Sequence, residues 1–147
     1  GFWGTDFSAQ FAILSNLDWY ARGALVRAKD LEKNNYLPNI PADRIETGLT
    51  YKLKNIGSLR ENRLTVNTLL VSKQHREPDF DFAPAPKGYN LWDLNFSTRI
   101  PFNTQGLHTS LGVNNIFNIS YKEYMNRFRY FSHEMGRNIS LKIRYEF

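Results

Sequence analysis

The sequence predicts an all-β fold, an antiparallel meander of about seven strands that covers residues 1–147. Two observations support this class. Apolar and polar residues alternate in seven segments, and a period of two residues is typical of a strand that has one apolar face. The connections between these segments are alternately short and long. No segment shows a competing helical period. The candidate strands are residues 6–13, 17–25, 45–53, 63–70, 92–100, 107–114 and 138–147.

The last segment shows the alternation most clearly. Ile139, Leu141, Ile143, Tyr145 and Phe147 share one parity, and every residue between them is polar. Successive side chains of a strand point to opposite faces, so this segment has an apolar side and a polar side.

The other six segments repeat the pattern. In chain order, their apolar faces consist of Phe7, Ala9, Phe11 and Ile13; Leu17, Trp19, Ala21, Gly23 and Leu25; Ile45, Thr47, Leu49, Tyr51 and Leu53; Leu64, Val66, Thr68 and Leu70; Trp92, Leu94, Phe96, Thr98 and Ile100; and Leu107, Thr109, Leu111 and Val113. The parity is broken only at the segment ends, by Arg27 and Arg60.

The lengths of the connections indicate which kind of sheet this is. Residues 15–16, 54–58 and 101–106 form short connections, and residues 28–44, 75–88 and 118–136 form long ones. Short turns at one end and long loops at the other are typical of outer-membrane barrels, whose long loops face outward. The sequence therefore favours part of a large transmembrane β-barrel.

Alternation alone also fits a soluble barrel or sandwich. Three features favour the membrane: aromatic residues near strand ends, a mixed polar face suited to a wet lumen, and the short–long order. Two alternatives stay open, a soluble lipocalin-like ligand-binding barrel and a small outer-membrane lipid enzyme. The enzyme would need a catalytic group of side chains. Its only inward-facing candidate pair is His108 and Ser110, for which the sequence shows no convincing acid partner.

Composition excludes several classes. A mean hydropathy of -0.51 without a long apolar run argues against a transmembrane helix. The chain has no cysteine, so disulfide scaffolds and thiol-based sites are excluded. The net charge is +5, but no dense Lys/Arg block suggests nucleic-acid binding. We expect a protein that is not an enzyme and has no cofactor.

Two motifs carry a family resemblance. The run GVNNIFN at residues 112–118, then Tyr121, GRNI at 136–139 and a last strand ending in Phe147 resemble the closing segment of TonB-dependent receptors. LPNIPADR at 37–44 with GLTY at 48–51 looks like a loop-to-strand passage of the same family. The resemblance implies that residues 1–147 are the C-terminal portion of a barrel of about 22 strands, whose plug domain and earlier strands lie outside this chain.

The resemblance also implies partners and a location. They are the outer membrane of a Gram-negative bacterium with its lipid bilayer, the TonB complex acting through the plug, and a small nutrient ligand such as a metal chelate. The favoured cargo is an iron chelate, either a siderophore or haem. Tyr145 and Phe147 resemble the sorting signal that the barrel assembly machinery recognises, and a simpler interpretation is a last pair of aromatic girdle residues.

Candidate ligand contacts lie in two long loops. His75, Asp79 and Asp81 are in one, and His133 and Glu134 are in another. Imidazole and carboxylate groups bind divalent ions, so these residues are candidates for contact with a metal or its chelate. The alternative is an ordinary solvated loop.

An aromatic–basic cluster lies beside the last long loop. Arg127, Arg129 and Tyr130 are its candidate ligand-binding residues, and they are accompanied by Tyr124, Phe128 and Phe131. Arginine and aromatic rings together could hold an anionic chelate. The alternative is a strand that extends above the membrane and carries interface aromatics.

Overall fold

A computed structural model describes residues 1–79, 81–102 and 105–146. The described part of the chain contains eight strands. Their bounds are β1 Phe2–Leu14, β2 Leu17–Asp30, β3 Asn35–Tyr36, β4 Arg44–Lys52, β5 Arg60–Val71, β6 Tyr89–Phe102, β7 Gln105–Asn114 and β8 Asn138–Glu146.

The strands form one antiparallel meander, as predicted. Their order is β1-β2-β4-β5-β6-β7-β8, and the two-residue β3 pairs with the far end of β2. Within the described residues β1 and β8 do not pair with each other, so the sheet is open at both edges. An open edge presents unpaired backbone groups that need a partner strand.

The register aligns the apolar faces of all seven long strands. One row of directly opposed residues crosses the entire sheet: Phe11, Trp19, Leu49, Val66, Leu94, Val113 and Ile139. Directly opposed residues of an antiparallel pair lie on the same face. The seven alternating segments therefore combine into one continuous apolar surface, opposed by one continuous polar surface.

The apolar surface is exposed. Ile139 is 70% exposed, Leu141 64% and Phe11 61%. The buried apolar residues of the described part are Val71, Tyr124 and four alanines, too few and too small for an ordinary core. Burial of large apolar side chains must come from something outside this sheet. Among the described residues, no helix is long or apolar enough to cross a membrane.

Several predicted bounds were wrong by a few residues, and one short strand was missed. β2 continues to Asp30, into the connection predicted at residues 28–44, because Ala28 pairs with Phe2 of β1 and the last two residues of β2 pair with β3. β3 lies in the same connection and was not predicted. The predicted turn 101–106 is shorter, because β6 runs to Phe102 and β7 starts at Gln105.

A β-bulge at the start of β5 explains the parity break at Arg60. Arg60 pairs with Arg99 and Arg63 pairs with Ser97, so β5 has one more residue than β6 over this stretch. The extra residue returns Arg60 to the side that carries Arg99. Asn62, only 1% exposed, fixes the bulge: its amide donates to the carbonyl oxygen of Lys54, and its Oδ1 accepts from Thr98.

The GVNNIFN motif ends β7, and its last four residues form a tight turn after that strand. Asn115 and Asn118 have φ of 50° and 53°, in the left-handed region that asparagine tolerates better than most residues. The Asn115 side chain donates to the carbonyl of Ile119 and accepts its N–H, and Asn118 accepts the N–H of Arg137. The motif thereby joins both ends of the last long loop to the start of β8.

Candidate functional site

The three long connections lie at one end of the sheet, because each joins strand ends that antiparallel pairing places there. They comprise residues 31–43, 72–88 and 115–137, called loops A, B and C below. Loops A and B are joined by Asp43 and Arg76, whose side chains lie 3.1 Å apart. The buried Gln74 donates to the carbonyl of Ile40 at 2.7 Å, which adds a second link.

Loops B and C are joined by an ion pair. Nη2 of Arg129 lies 2.5 Å from Oδ2 of Asp81, and their side chains are only 7% and 10% exposed. The hydroxyl of Tyr130 donates to Oδ1 of the same carboxylate at 2.6 Å. The Arg129 guanidinium lies 4.1 Å from the centre of the Tyr124 ring. We call Asp81, Tyr124, Arg129 and Tyr130 the loop clasp.

The electrostatics of the clasp favour ionised Asp81. Burial by itself would raise the pKa of this carboxyl, but the hydrogen bonds from Tyr130 and Arg129 outweigh it and lower the pKa below its ordinary value of 3.8. Burial raises the pKa of the Tyr124 hydroxyl. At neutral pH the clasp thus joins a carboxylate to a guanidinium.

The structure brings together three of the predicted ligand contacts, Asp81, Arg129 and Tyr130, from loops 48 residues apart in sequence. They contact one another, so much of their hydrogen-bonding capacity is already used. Residues 127–130 form a single 3-10 turn rather than an extended strand, so the strand interpretation of this cluster was wrong.

The other predicted contacts are dispersed. His75, Asp79, Arg127 and His133 are exposed, and Glu134 is half-buried and accepts from the Asn126 amide at 2.5 Å. Over residues 1–79, 81–102 and 105–146, no three His, Asp or Glu side chains are close enough to hold a metal ion. The predicted His75–Asp79–Asp81 group therefore does not form a ready metal site here.

Exposed aromatic rings pack against the loop clasp. Phe82 is 94% exposed and Phe131 is 87% exposed. Both rings meet Tyr130 edge-on, with centroid distances of 6.1 and 6.5 Å. We call Phe82, Phe128, Tyr130 and Phe131 the aromatic rim. Phe82 was not predicted as a ligand contact, although a large apolar residue in a proline-rich polar loop was a usable signal.

The polar face of the sheet is internally hydrogen-bonded near its centre. The Tyr20 hydroxyl donates to Glu46 at 2.8 Å and lies 3.0 Å from Oδ1 of Asn67. Arg22 binds the same Glu46 carboxylate through Nε and Nη2. The ring of Tyr20 lies directly over Gly48, where a Cβ would approach it to 2.5 Å. Charges on this part of the face are therefore paired across strands.

His108 and Ser110, the pair considered for an enzyme, have separate partners. Nε2 of His108 lies 3.0 Å from Glu146, and Ser110 hydrogen-bonds to Asn95 at 2.9 Å. The structure thus supplies an acid beside His108, but the serine is engaged with an amide.

The two predicted sorting residues lie at the end of the chain. Tyr145 is on the apolar face, half exposed, and its hydroxyl contacts Gln105 of β7. Phe147 lies outside the described residues.

Comparison with solved structures defines the class of fold. The chain superposes on a protein described as "Copper transporter OprC" with a TM-score of 0.81 and 24% sequence identity. The match covers 97% of this chain and 22% of that protein. The chain is therefore similar in fold to about a fifth of a much longer protein.

No family model matches this sequence, and no curated protein matches it.

Proposed function

We propose that this chain is the C-terminal part of the wall of a transmembrane β-barrel in the outer membrane of a Gram-negative bacterium. The barrel would belong to a receptor that imports a scarce nutrient. The observation that carries the proposal is the continuous exposed apolar face, crossed by the row from Phe11 to Ile139. Acyl chains would cover this face, and the polar face would line the lumen.

The open edges support a larger barrel rather than a closed small one. A lipocalin-like barrel would enclose its apolar face and pair its first and last strands. Here β1 and β8 lie at opposite edges of the described sheet, and the apolar face is exposed. Further strands of the same protein would pair with β1, and closure would bring the first of them to β8.

The resemblance to TonB-dependent receptors adds the energy source and the partners to the proposal. The TonB complex would act through a plug domain outside these residues, and the barrel assembly machinery would recognise the end of β8. The exposed apolar face and the polar face opposite it fit such a wall. We propose no catalytic step and no cofactor for this chain.

The favoured cargo is an anionic iron chelate such as a siderophore or haem, captured at loops B and C. The aromatic rim supplies stacking surface, and the exposed Arg127 supplies a charge that the clasp does not use. Stacked rings and a guanidinium suit a planar, negatively charged complex.

Copper is a second candidate cargo, favoured by a specific observation. The only two methionines of the chain, Met125 and Met135, lie in loop C with His133, and all three are exposed. Thioether and imidazole groups are suitable ligands for copper. The similar structure carries the description of a copper transporter.

Uptake by cells tests the function and separates the two cargoes. A strain that lacks the full-length gene, complemented with wild-type or variant protein, is supplied with radioactive iron chelate or radioactive copper. For an iron chelate, Phe82→Ala with Phe131→Ala reduces uptake about tenfold, while Met125→Leu with Met135→Leu has no effect. For copper, Met125→Leu with Met135→Leu reduces uptake about tenfold, and Phe82→Ala with Phe131→Ala has no effect. Equal uptake of both metals by the deletion strain and the wild type would refute the transport proposal.

A further inference from the structure

The loop clasp holds a carboxylate in the way that a binding site holds an anionic ligand. Nη2 of Arg129 donates to Oδ2 of Asp81, and the Tyr130 hydroxyl donates to Oδ1, so each carboxylate oxygen has its own donor. The Arg129 guanidinium lies 4.1 Å from the centre of the Tyr124 ring and 4.7 Å from that of Tyr130. A guanidinium beside two aromatic rings and a phenol hydroxyl suits a carboxylate. The structure therefore shows the chemical group that this site accepts.

Asp81 satisfies the site only in part. Nη1 of Arg129 is buried, and among the described residues it has no hydrogen-bond partner. A buried donor without an acceptor is destabilising. Both carboxylate oxygens of Asp81 already accept from Nη2 of Arg129 and from Tyr130. A ligand with additional acceptor oxygens would supply the partner that Asp81 does not provide.

Charges of opposite sign lie on the two sides of the clasp. In loop B, Glu77, Asp79 and Asp81 line a concavity of about 320 Å³. In loop C, Arg127 and Arg129 supply positive charge. An anion that binds to loop C would repel these acids of loop B, and this repulsion favours the departure of Asp81 from Arg129.

We propose that Asp81 occupies the place of the cargo: a carboxylate group of an aromatic chelate displaces it from Arg129 and Tyr130, and the ion pair between loops B and C then breaks. This inference rests on the proposed function and deepens it, because it names the group of the cargo that loop C recognises. One carboxylate replaces another on the guanidinium, so no buried charge is left without a partner. Phe128 and Phe131, which are 69% and 87% exposed, can stack on the rings of the cargo.

An internal occupant and a structural support have opposite effects on affinity. An internal occupant lowers the apparent affinity, because the ligand binds only to the fraction of molecules whose site is free. Neutralisation of Asp81 should therefore strengthen the binding of a carboxylate ligand, provided that Arg129 is present. If Asp81 only supported the shape of the loops, its replacement would weaken binding.

The test measures the binding of haemin, an aromatic chelate with two carboxylates, to the purified full-length protein in detergent. Its dimethyl ester has the same ring and iron but no carboxylate, so it is the matched probe. We expect Asp81→Asn to bind haemin about tenfold more tightly than the wild type does, and to bind the ester with unchanged affinity. Asp81→Asn with Arg129→Gln should bind haemin no more tightly than the wild type. The control Glu32→Gln removes the same charge from an exposed position of loop A and should match the wild type.

Folding and transport are measured separately. Heat-resistant migration in gels verifies that each barrel is folded, and Asp81→Ala replaces Asp81→Asn if that variant does not fold. Haemin affinity that is equal or lower in the Asp81 variant, absence of binding included, would overturn the inference, as would equal gains for haemin and its ester. If the wild type still transports in the cellular uptake assay, such a result refutes the displacement alone. Equal uptake by the deletion strain and the wild type would overturn both proposals.

Discussion

Gly48 has a specific packing role on the polar face, and its replacement by alanine should destabilise the barrel. A Cβ at this position would lie 2.5 Å from Cε1 of Tyr20 and 2.3 Å from Oδ1 of Asn67. Both distances are far below van der Waals contact. The Tyr20 ring would have to move, since two of its carbon atoms would lie within 3.0 Å of the added Cβ.

The cost follows from the contacts that the ring supports. Its hydroxyl donates to the Glu46 carboxylate at 2.8 Å and lies 3.0 Å from Asn67. Loss of a hydrogen bond to a charged group costs about 1.5–3 kcal/mol, and loss of a neutral one costs about 1 kcal/mol. Alanine regains about 0.5–1 kcal/mol in a strand relative to glycine. We therefore expect Gly48→Ala to lower the free energy of unfolding by about 1.5–3.5 kcal/mol.

Urea unfolding of the full-length barrel, refolded into lipid vesicles, measures this change. Gly112→Ala is the matched control, because it lies on the same face and its Cβ would meet the movable Ser140 hydroxyl at 3.0 Å. The control should lose less than about 1 kcal/mol. Equal losses for the two variants would refute the argument that the Tyr20 ring occupies the space above Gly48.

Two further predictions concern the apolar face and the loop clasp. In the proposed barrel, Leu141→Lys places a charge on the lipid side of β8 and should make barrel insertion less favourable by about 2–4 kcal/mol, whereas Ser140→Lys on the lumen side should change it little; vesicle refolding yields compare them. Asp81→Asn should loosen loop C at neutral pH, detected as faster hydrogen exchange at residues 120–137. Because the pKa of Asp81 is lowered in the folded protein, its stabilising contribution is complete above the ordinary value of 3.8 and is lost as pH falls further. Unchanged exchange in Asp81→Asn would contradict the clasp.

The strands and their faces could be predicted from sequence because both follow from a local period of two. The segment from Ile139 to Tyr145 is apolar at alternate positions, and the structure places these residues on one face. The far end of β2 could not be predicted this way. There Arg27 pairs with Asp43 and lies over the Trp3 ring, so a charged residue interrupts the pattern while the backbone ladder continues.

The contacts between the loops depend on tertiary structure, so they could not be predicted from the sequence. Asp81 and Arg129 were each assigned to ligand binding, because nothing local shows that two loops place them 2.5 Å apart. The strand expected around Phe128 is a 3-10 turn, since Asn126 caps it and Arg129 turns inward against Tyr124.

The orientation of the two faces relative to the bilayer can be measured directly. These residues contain no cysteine, so single cysteines at Leu111 and Ser110, neighbours on β7, can each carry a fluorophore in the full-length protein, from which any cysteine elsewhere is first removed, reconstituted in vesicles. We predict that lipid-attached nitroxide quenches the label at residue 111 and that a water-soluble quencher reaches the label at residue 110. The opposite assignment, or equal access of the aqueous quencher to both positions, would contradict the membrane-barrel account.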